Sequence, residues 1–211
     1  MTGTTLSSRL NRNRMILAAG LTALALGITA CGGSSSSSSS TTGKSAAAKP
    51  SAPEVSPSGD IPDNQAYVAF APPGGGFTVK VPEGWSRSSA GGAVTFTDKL
   101  NSIRVESAAA KAPLSVQAAR QTELPKLKAA VSGFQPGNVS VVTRSAGPAV
   151  RMTYQAKATP NAVTGKAGTD AVERYVFFHN GKRIVLTLSG PKGADNVDPW
   201  KIVTDSLRFT A

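Results

Sequence analysis

The sequence predicts an α+β domain: an antiparallel sheet of about six to seven strands with helices covering its faces. Three observations lead there. Seven short runs with strand character come in groups of three and four, and do not alternate with helices as a parallel α/β sheet requires. A helical pattern follows each group, near 115–131 and near 198–207. Asn180-Gly181 lies between two apolar-patterned runs, the strongest short hairpin signal a sequence carries.

The segment 1–30 reads as a lipoprotein signal peptide. Arg9, Arg12 and Arg14 form a basic start without an acidic residue, and Met15 to Ile28 is mostly apolar. That run suits a signal-peptide core and falls short of the roughly 18–20 residues that span a bilayer. Thr29 and Ala30 offer the slim backbone a processing peptidase needs before Cys31, the only cysteine of the chain. Ile28-Thr-Ala-Cys31 resembles the bacterial lipobox, in which the cysteine is diacylated and becomes the mature N-terminus; the first position there is more often Leu. Each buried methylene contributes about 0.8 kcal/mol, so one acyl chain binds marginally and two hold stably. The expected location is the extracytoplasmic face of the cell membrane, with a lipid anchor on Cys31. With that thiol committed, the mature chain has no disulfide and must stand on its core.

A tether, 31–65, follows. Gly32 to Gly59 holds seven consecutive serines and the spaced prolines Pro50, Pro53 and Pro57, with Val55 its one sizeable apolar residue. Such a composition cannot offset the entropy cost of ordering, so a disordered segment is expected. As a coil of about 30 residues it would hold the domain about 30 Å from the membrane. Gly43-Lys44-Ser45 is not the end of a phosphate-binding loop, because position 38 is serine.

The domain is expected over 66–211. Phe77, Val79 and Val81 alternate with Thr78 and Lys80 as in a strand with one buried face. Pro82 ends it, and Gly84 allows a turn that returns Trp85 to the core. Ala93–Thr97 and Ile103–Ala109 form a hairpin. A helix begins at Ser115, a suitable N-cap, and its apolar stripe includes Val116, Ala119, Leu124 and Leu127. Pro125 lies opposite that stripe and predicts a kink, and Gly133 ends the helix. Four strands follow at 139–145, 149–157, 171–179 and 182–189. In the Asn180-Gly181 register, Phe177 faces Ile184, Tyr175 faces Leu186 and Val176 faces Val185, so both faces of the sheet require a cover. The second cover is a helix capped by Asp195, Asn196 or Asp198, with Pro199 in its first turn and Trp200, Val203 and Leu207 along one side. Trp85 and Trp200 are both expected to be buried.

Phe77-Thr-Val-Lys-Val-Pro-Glu-Gly-Trp85 resembles the first-strand motif of PsbP-like domains. The ending from Trp200 through Ser206-Leu-Arg-Phe209 is similar to their closing helix and Ser-aromatic tail. The lipobox and tether look like those of actinobacterial lipoproteins of the LpqN/LpqT kind. The resemblance implies an α/β/α sandwich that acts by binding, and it carries over no catalytic residue.

The residues point the same way. His179, the only histidine, flanks a turn. Glu173 lies six residues from it, about 20 Å along a strand, so the two cannot share a metal ion. No Gly-x-Ser-x-Gly elbow occurs, and acidic residues are scattered. No catalytic residue, cofactor or metal is expected. From Cys31 onward the chain carries 20 Lys and Arg against 12 Asp and Glu. For an exported protein that excess suggests anionic lipid or other envelope ligands, not nucleic acid. Lys126 and Lys128 on the helix, with Arg151 and Lys157 on a strand, form the candidate basic surface. The expected function is non-catalytic binding of a protein, lipid or other envelope ligand. The alternatives are a hydrolase of envelope material and an accessory subunit of an envelope transport system.

Overall fold

Alternation in the strand runs produces a two-sheet arrangement in the computed structural model, which describes residues 58–160 and 165–210. The leader, Cys31 and the tether up to residue 57 lie outside the described residues. Strands β1 (Tyr67–Phe70) and β2 (Phe77–Pro82) pair with the short closing strand β10 (Arg208–Phe209) in a three-stranded sheet. The remaining strands are β3 (Ser86–Ala90), β4 (Ala93–Asp98), β5 (Asn101–Ala109), β6 (Gln135–Arg144), β7 (Gly147–Lys157), β8 (Thr169–His179) and β9 (Lys182–Pro191). They form one antiparallel sheet in the order β3-β4-β5-β9-β8-β7-β6.

The β8–β9 hairpin has the expected register, with Phe177 opposite Ile184, Tyr175 opposite Leu186 and Val176 opposite Val185. Asn180 and Gly181 take φ values of 45° and 73°, as the tight turn between right-twisted strands demands. Because side chains alternate, these pairs send Tyr175, Phe177, Ile184, Leu186 and Leu188 to one face, where they are buried. That face is closed by Phe77, Val79 and Val81 of β2 and by helix α3 (Val197–Asp205) through Trp200 and Val203. The Ser-aromatic tail completes the closure: Ser206 Oγ accepts the Lys80 N–H at 2.7 Å, Leu207 is buried, and β10 pairs with β2.

Val150, Met152 and Val176 point to the other face, under the helical segment that follows β5. Ser115 caps that segment, its side chain accepting the Ala118 N–H at 3.0 Å. The segment runs as α1 (Val116–Ala118), a π-helical turn (Ala119–Glu123) and α2 (Leu124–Ala130). Ala119, Leu124 and Leu127 pack onto the sheet there.

Several expectations are corrected. The irregularity precedes Pro125: the wide turn ends with the Leu124 N–H donating to the Ala119 carbonyl, and Pro125, which has no N–H to donate, sits in the first turn of the next segment. That segment ends at Ala130, three residues before Gly133. β1 and β3 were not expected as strands; β3 is exposed throughout, so no apolar alternation marks it. Trp85 is only half-buried, packed against the main core at its rim, whereas Trp200 is buried. The packed chain also begins before Ala66, since Ile61 is buried. A knot of amides explains this. Asn196 accepts the Ile61 N–H at 2.8 Å and donates to the Gly59 carbonyl at 3.0 Å and to Asn101 Oδ1 at 3.1 Å. Asn196 thus precedes α3 as its cap residue without making a side-chain cap.

Candidate ligand-binding face

The helical segment 116–130 packs over β6, β7 and β8 and leaves part of its sheet face open. On β4, β5 and β9, residues that alternate with buried Val94, Phe96, Ile103, Val105, Leu186 and Leu188 point outward there. Apart from Val185, which stands opposite Glu106 and packs under the helical segment, they are polar: Thr95, Thr97, Ser102, Arg104, Glu106, Thr187 and Ser189. At their centre Glu106 is gripped from two sides. Arg104 Nη2 lies 3.0 Å from Oε1, and Arg174 Nη1, reaching from β8, lies 3.1 Å from Oε2. Arg174 also donates to Thr187 Oγ1 at 2.7 Å, and the Ser102 and Ser189 hydroxyls bond at 2.7 Å. Burial of Glu106 disfavours its charge, but the hydrogen bonds and positive charges of Arg104 and Arg174 outweigh this and hold the carboxyl below the usual range. Both carboxylate oxygens are occupied, and two guanidiniums facing one carboxylate leave one positive charge over. The face is equipped to hold a polar or anionic group.

A cavity of about 470 Å³ adjoins the upper end of this face, lined by Thr97, Lys99, Ser102, Asp170 and Ser189 among others. Burial raises the Asp170 carboxyl above its ordinary range.

A second polar chain lies on the opposite face, under α3. Arg151 Nη1 stands 3.4 Å from Glu173 Oε1, Tyr175 Oη donates to Glu173 Oε2 at 2.5 Å, and Arg144 Nη2 donates to Tyr175 Oη at 2.9 Å. Arg144 Nε is 4.0 Å from Asp205 Oδ1 at the end of α3. Burial, then the Glu173 hydrogen bond and charge, raise the Tyr175 hydroxyl above its ordinary range. Two arginines are matched by two carboxylates here, so the chain fastens α3 across β6–β8 with no charge to spare.

The residues expected as a basic surface are not brought together. Lys126 is 3.5 Å from Glu123 and, with Lys128, is exposed on α2. Arg151 points to the opposite sheet face and is paired with Glu173, and Lys157 is exposed at the end of β7. His179 is half-buried, its ring stacked on Phe209 at 4.0 Å between centroids. Cys31 lies outside the described residues. Among the described residues, no three His, Cys, Asp or Glu side chains are grouped to hold a metal. Arg104, Glu106 and Arg174 were missed in the sequence. The spacing of Arg104 and Glu106 within an apolar alternation was a signal, but only strand pairing brings Arg174 to them.

No family model matches the chain, and no curated protein does. Solved structures resemble it in shape. A crystal structure from Bacteroides thetaiotaomicron aligns at 15% identity and a TM-score of 0.43 over 64% of this chain, which spans only 46% of that protein. Cyanobacterial PsbP (CyanoP) from Synechocystis aligns at 14% identity and a TM-score of 0.49, over 69% of this chain and 93% of that one. LpqN of Mycobacterium tuberculosis, described as involved in cell envelope biogenesis, aligns at 16% identity and a TM-score of 0.38, over 71% of this chain and 87% of LpqN.

Proposed function

We propose that this chain is an envelope lipoprotein of the LpqN/LpqT kind, anchored through lipidated Cys31 on the extracytoplasmic face of the membrane. Its folded domain binds a protein, lipid or other envelope ligand without chemistry. The observation that carries this role is the open part of the helix-side face, where Glu106 holds Arg104 and Arg174 in place beside the Thr187, Ser102 and Ser189 hydroxyls. Rigid donors set on strands are suited to recognition, since little order has to be added on binding. The ligand would replace solvent on the polar side chains of β4, β5 and β9.

Site-specific photocrosslinking in intact cells tests it. A photoreactive residue at Thr95 should form a discrete adduct that is reduced when Arg104→Gln is added. The same probe at Lys128, on the exposed side of α2, should not form it. Equal adducts at both positions, or an adduct indifferent to Arg104, would remove this face as the binding surface.

A further inference from the structure

We infer that the open face takes a linear polyanion, laid along β5 from Arg104 and Arg174 to Arg183 and Lys111, at the end of the sheet opposite the Gly59, Asn101 and Asn196 amides. The inference rests on the binding role proposed above and names the chemistry of the ligand. Strand register sets out the track. Arg104 faces Thr187, which in turn faces Arg174, and four residues further along β5 Ala108 faces Arg183. At about 3.3 Å per residue, that step is about 13 Å long. Arg183 and Thr187 share a side of β9, so Arg183 stands on the same face as the Glu106 cluster. Its Nη2 donates to the Ala112 carbonyl at 3.3 Å, which holds the guanidinium at the end of β5. Lys111 lies two residues beyond the end of β5 and is exposed. Glu106 is the acidic side chain within the track, and it is already shared by two arginines.

The distribution of carboxylates separates a polymer from a bilayer as the anionic partner. The amide knot at Gly59, Asn101 and Asn196 brings the tether in at the opposite end, beside the β4–β5 turn and the start of α3. Six of the seven described aspartates lie at that end: Asp60, Asp63, Asp98, Asp170, Asp195 and Asp198. Lys99 and Lys192 share that end, so its charge is mixed, whereas along the track Glu106 is the one carboxylate and the fixed spacing of the guanidiniums suits successive negative groups of one chain. Long-range attraction then favours the polymer and weakens as salt rises.

The test uses the full chain in neutral detergent, with long-chain inorganic polyphosphate as one probe and phosphatidylglycerol vesicles as the other. Wild type should bind polyphosphate, and Lys111→Glu with Arg183→Glu should weaken binding about tenfold at low salt, less at about 0.5 M. Lys126→Glu with Lys128→Glu, an equal change of charge, should alter it less than about twofold. Lys111→Glu alone, at an exposed position, should still weaken binding and guards against a folding defect. Equal losses in the two double variants would overturn the track. Vesicle binding abolished by the Lys111 and Arg183 changes would overturn the polymer as the source. If polyphosphate does not bind while the Thr95 probe keeps its Arg104-dependent adduct, the face binds some other ligand and the polyanion is excluded. Loss of that adduct as well would remove the binding role itself.

Discussion

The two tryptophans differ in what they hold. Trp200 is 8% exposed between α3 and the sheet, and its truncation to Ala should cost about 3–5 kcal/mol. Trp85 sits at the rim of the same core, so Trp85→Ala should cost only about 1–2 kcal/mol. Urea denaturation of both variants checks the ranking. Glu106 makes a pH-dependent contribution of definite sign. Its folded-state pKa lies below the ordinary value of 4.5, so its stabilisation is complete above that pH and is lost as pH falls through the depressed value. The stability gap between wild type and Glu106→Gln should therefore be steady near neutrality and close below about pH 4.5. Asp170 has the opposite sign. Its raised pKa means that it favours folding only while protonated, so Asp170→Asn should leave stability near pH 7 unchanged or higher.

At the scale of elements, polar side chains decide how the helices sit. Tyr175 Oη joins Arg144 to Glu173 under α3, and Tyr175→Phe would leave a guanidinium and a carboxylate each short of a partner. The expected loss is about 1–3 kcal/mol, with the Trp200 fluorescence shifting as α3 loosens. Gly190 is required by close approach: a Cβ there would stand 2.3 Å from Asn101 Oδ1 and 2.8 Å from Asn196 Nδ2. Gly190→Ala should push the amide knot apart and cost about 1–3 kcal/mol. Amide exchange should then quicken first at Ile61, whose N–H the knot holds. The π-helical turn has a comparable logic. Thr122 Oγ1 donates to the Ala118 carbonyl at 2.7 Å and Arg120 Nη2 to the Val139 carbonyl at 3.2 Å, so side chains tie the wide turn in place.

Over the whole molecule, charge and attachment act together. The chain carries a formal +11, with six of the seven described aspartates toward the Gly59 end of the sheet and Arg104, Arg174 and Arg183 along its open face. If Cys31 is acylated as proposed, the protein should partition into detergent, and Cys31→Ala should leave it unprocessed or in the aqueous phase. Phase partitioning with N-terminal sequencing of the mature chain checks this, and an intact Met1 on the surface-exposed protein would exclude the anchor.

By itself the sequence determined the fold class, the hairpin register and the faces of the paired strands. Period-two alternation and Asn180-Gly181 are local signals, and a shift of one residue would have turned Tyr175, Phe177, Ile184 and Leu186 out of the core. Helix limits at Ser115 and around Pro199 were legible for the same reason, because capping and missing donors act over a single turn. β3 was not legible, since its polar run Ser86–Ala90 is held by ladder hydrogen bonds to β4 and not by burial. Nor was the fate of Arg151, which alternation places on a polar strand face but which Glu173 neutralises on the α3-side face of the sheet. The candidate face depended on tertiary structure altogether. Arg104 and Arg174 are 70 residues apart, and they meet at Glu106 only because β9 inserts between β5 and β8 in the sheet.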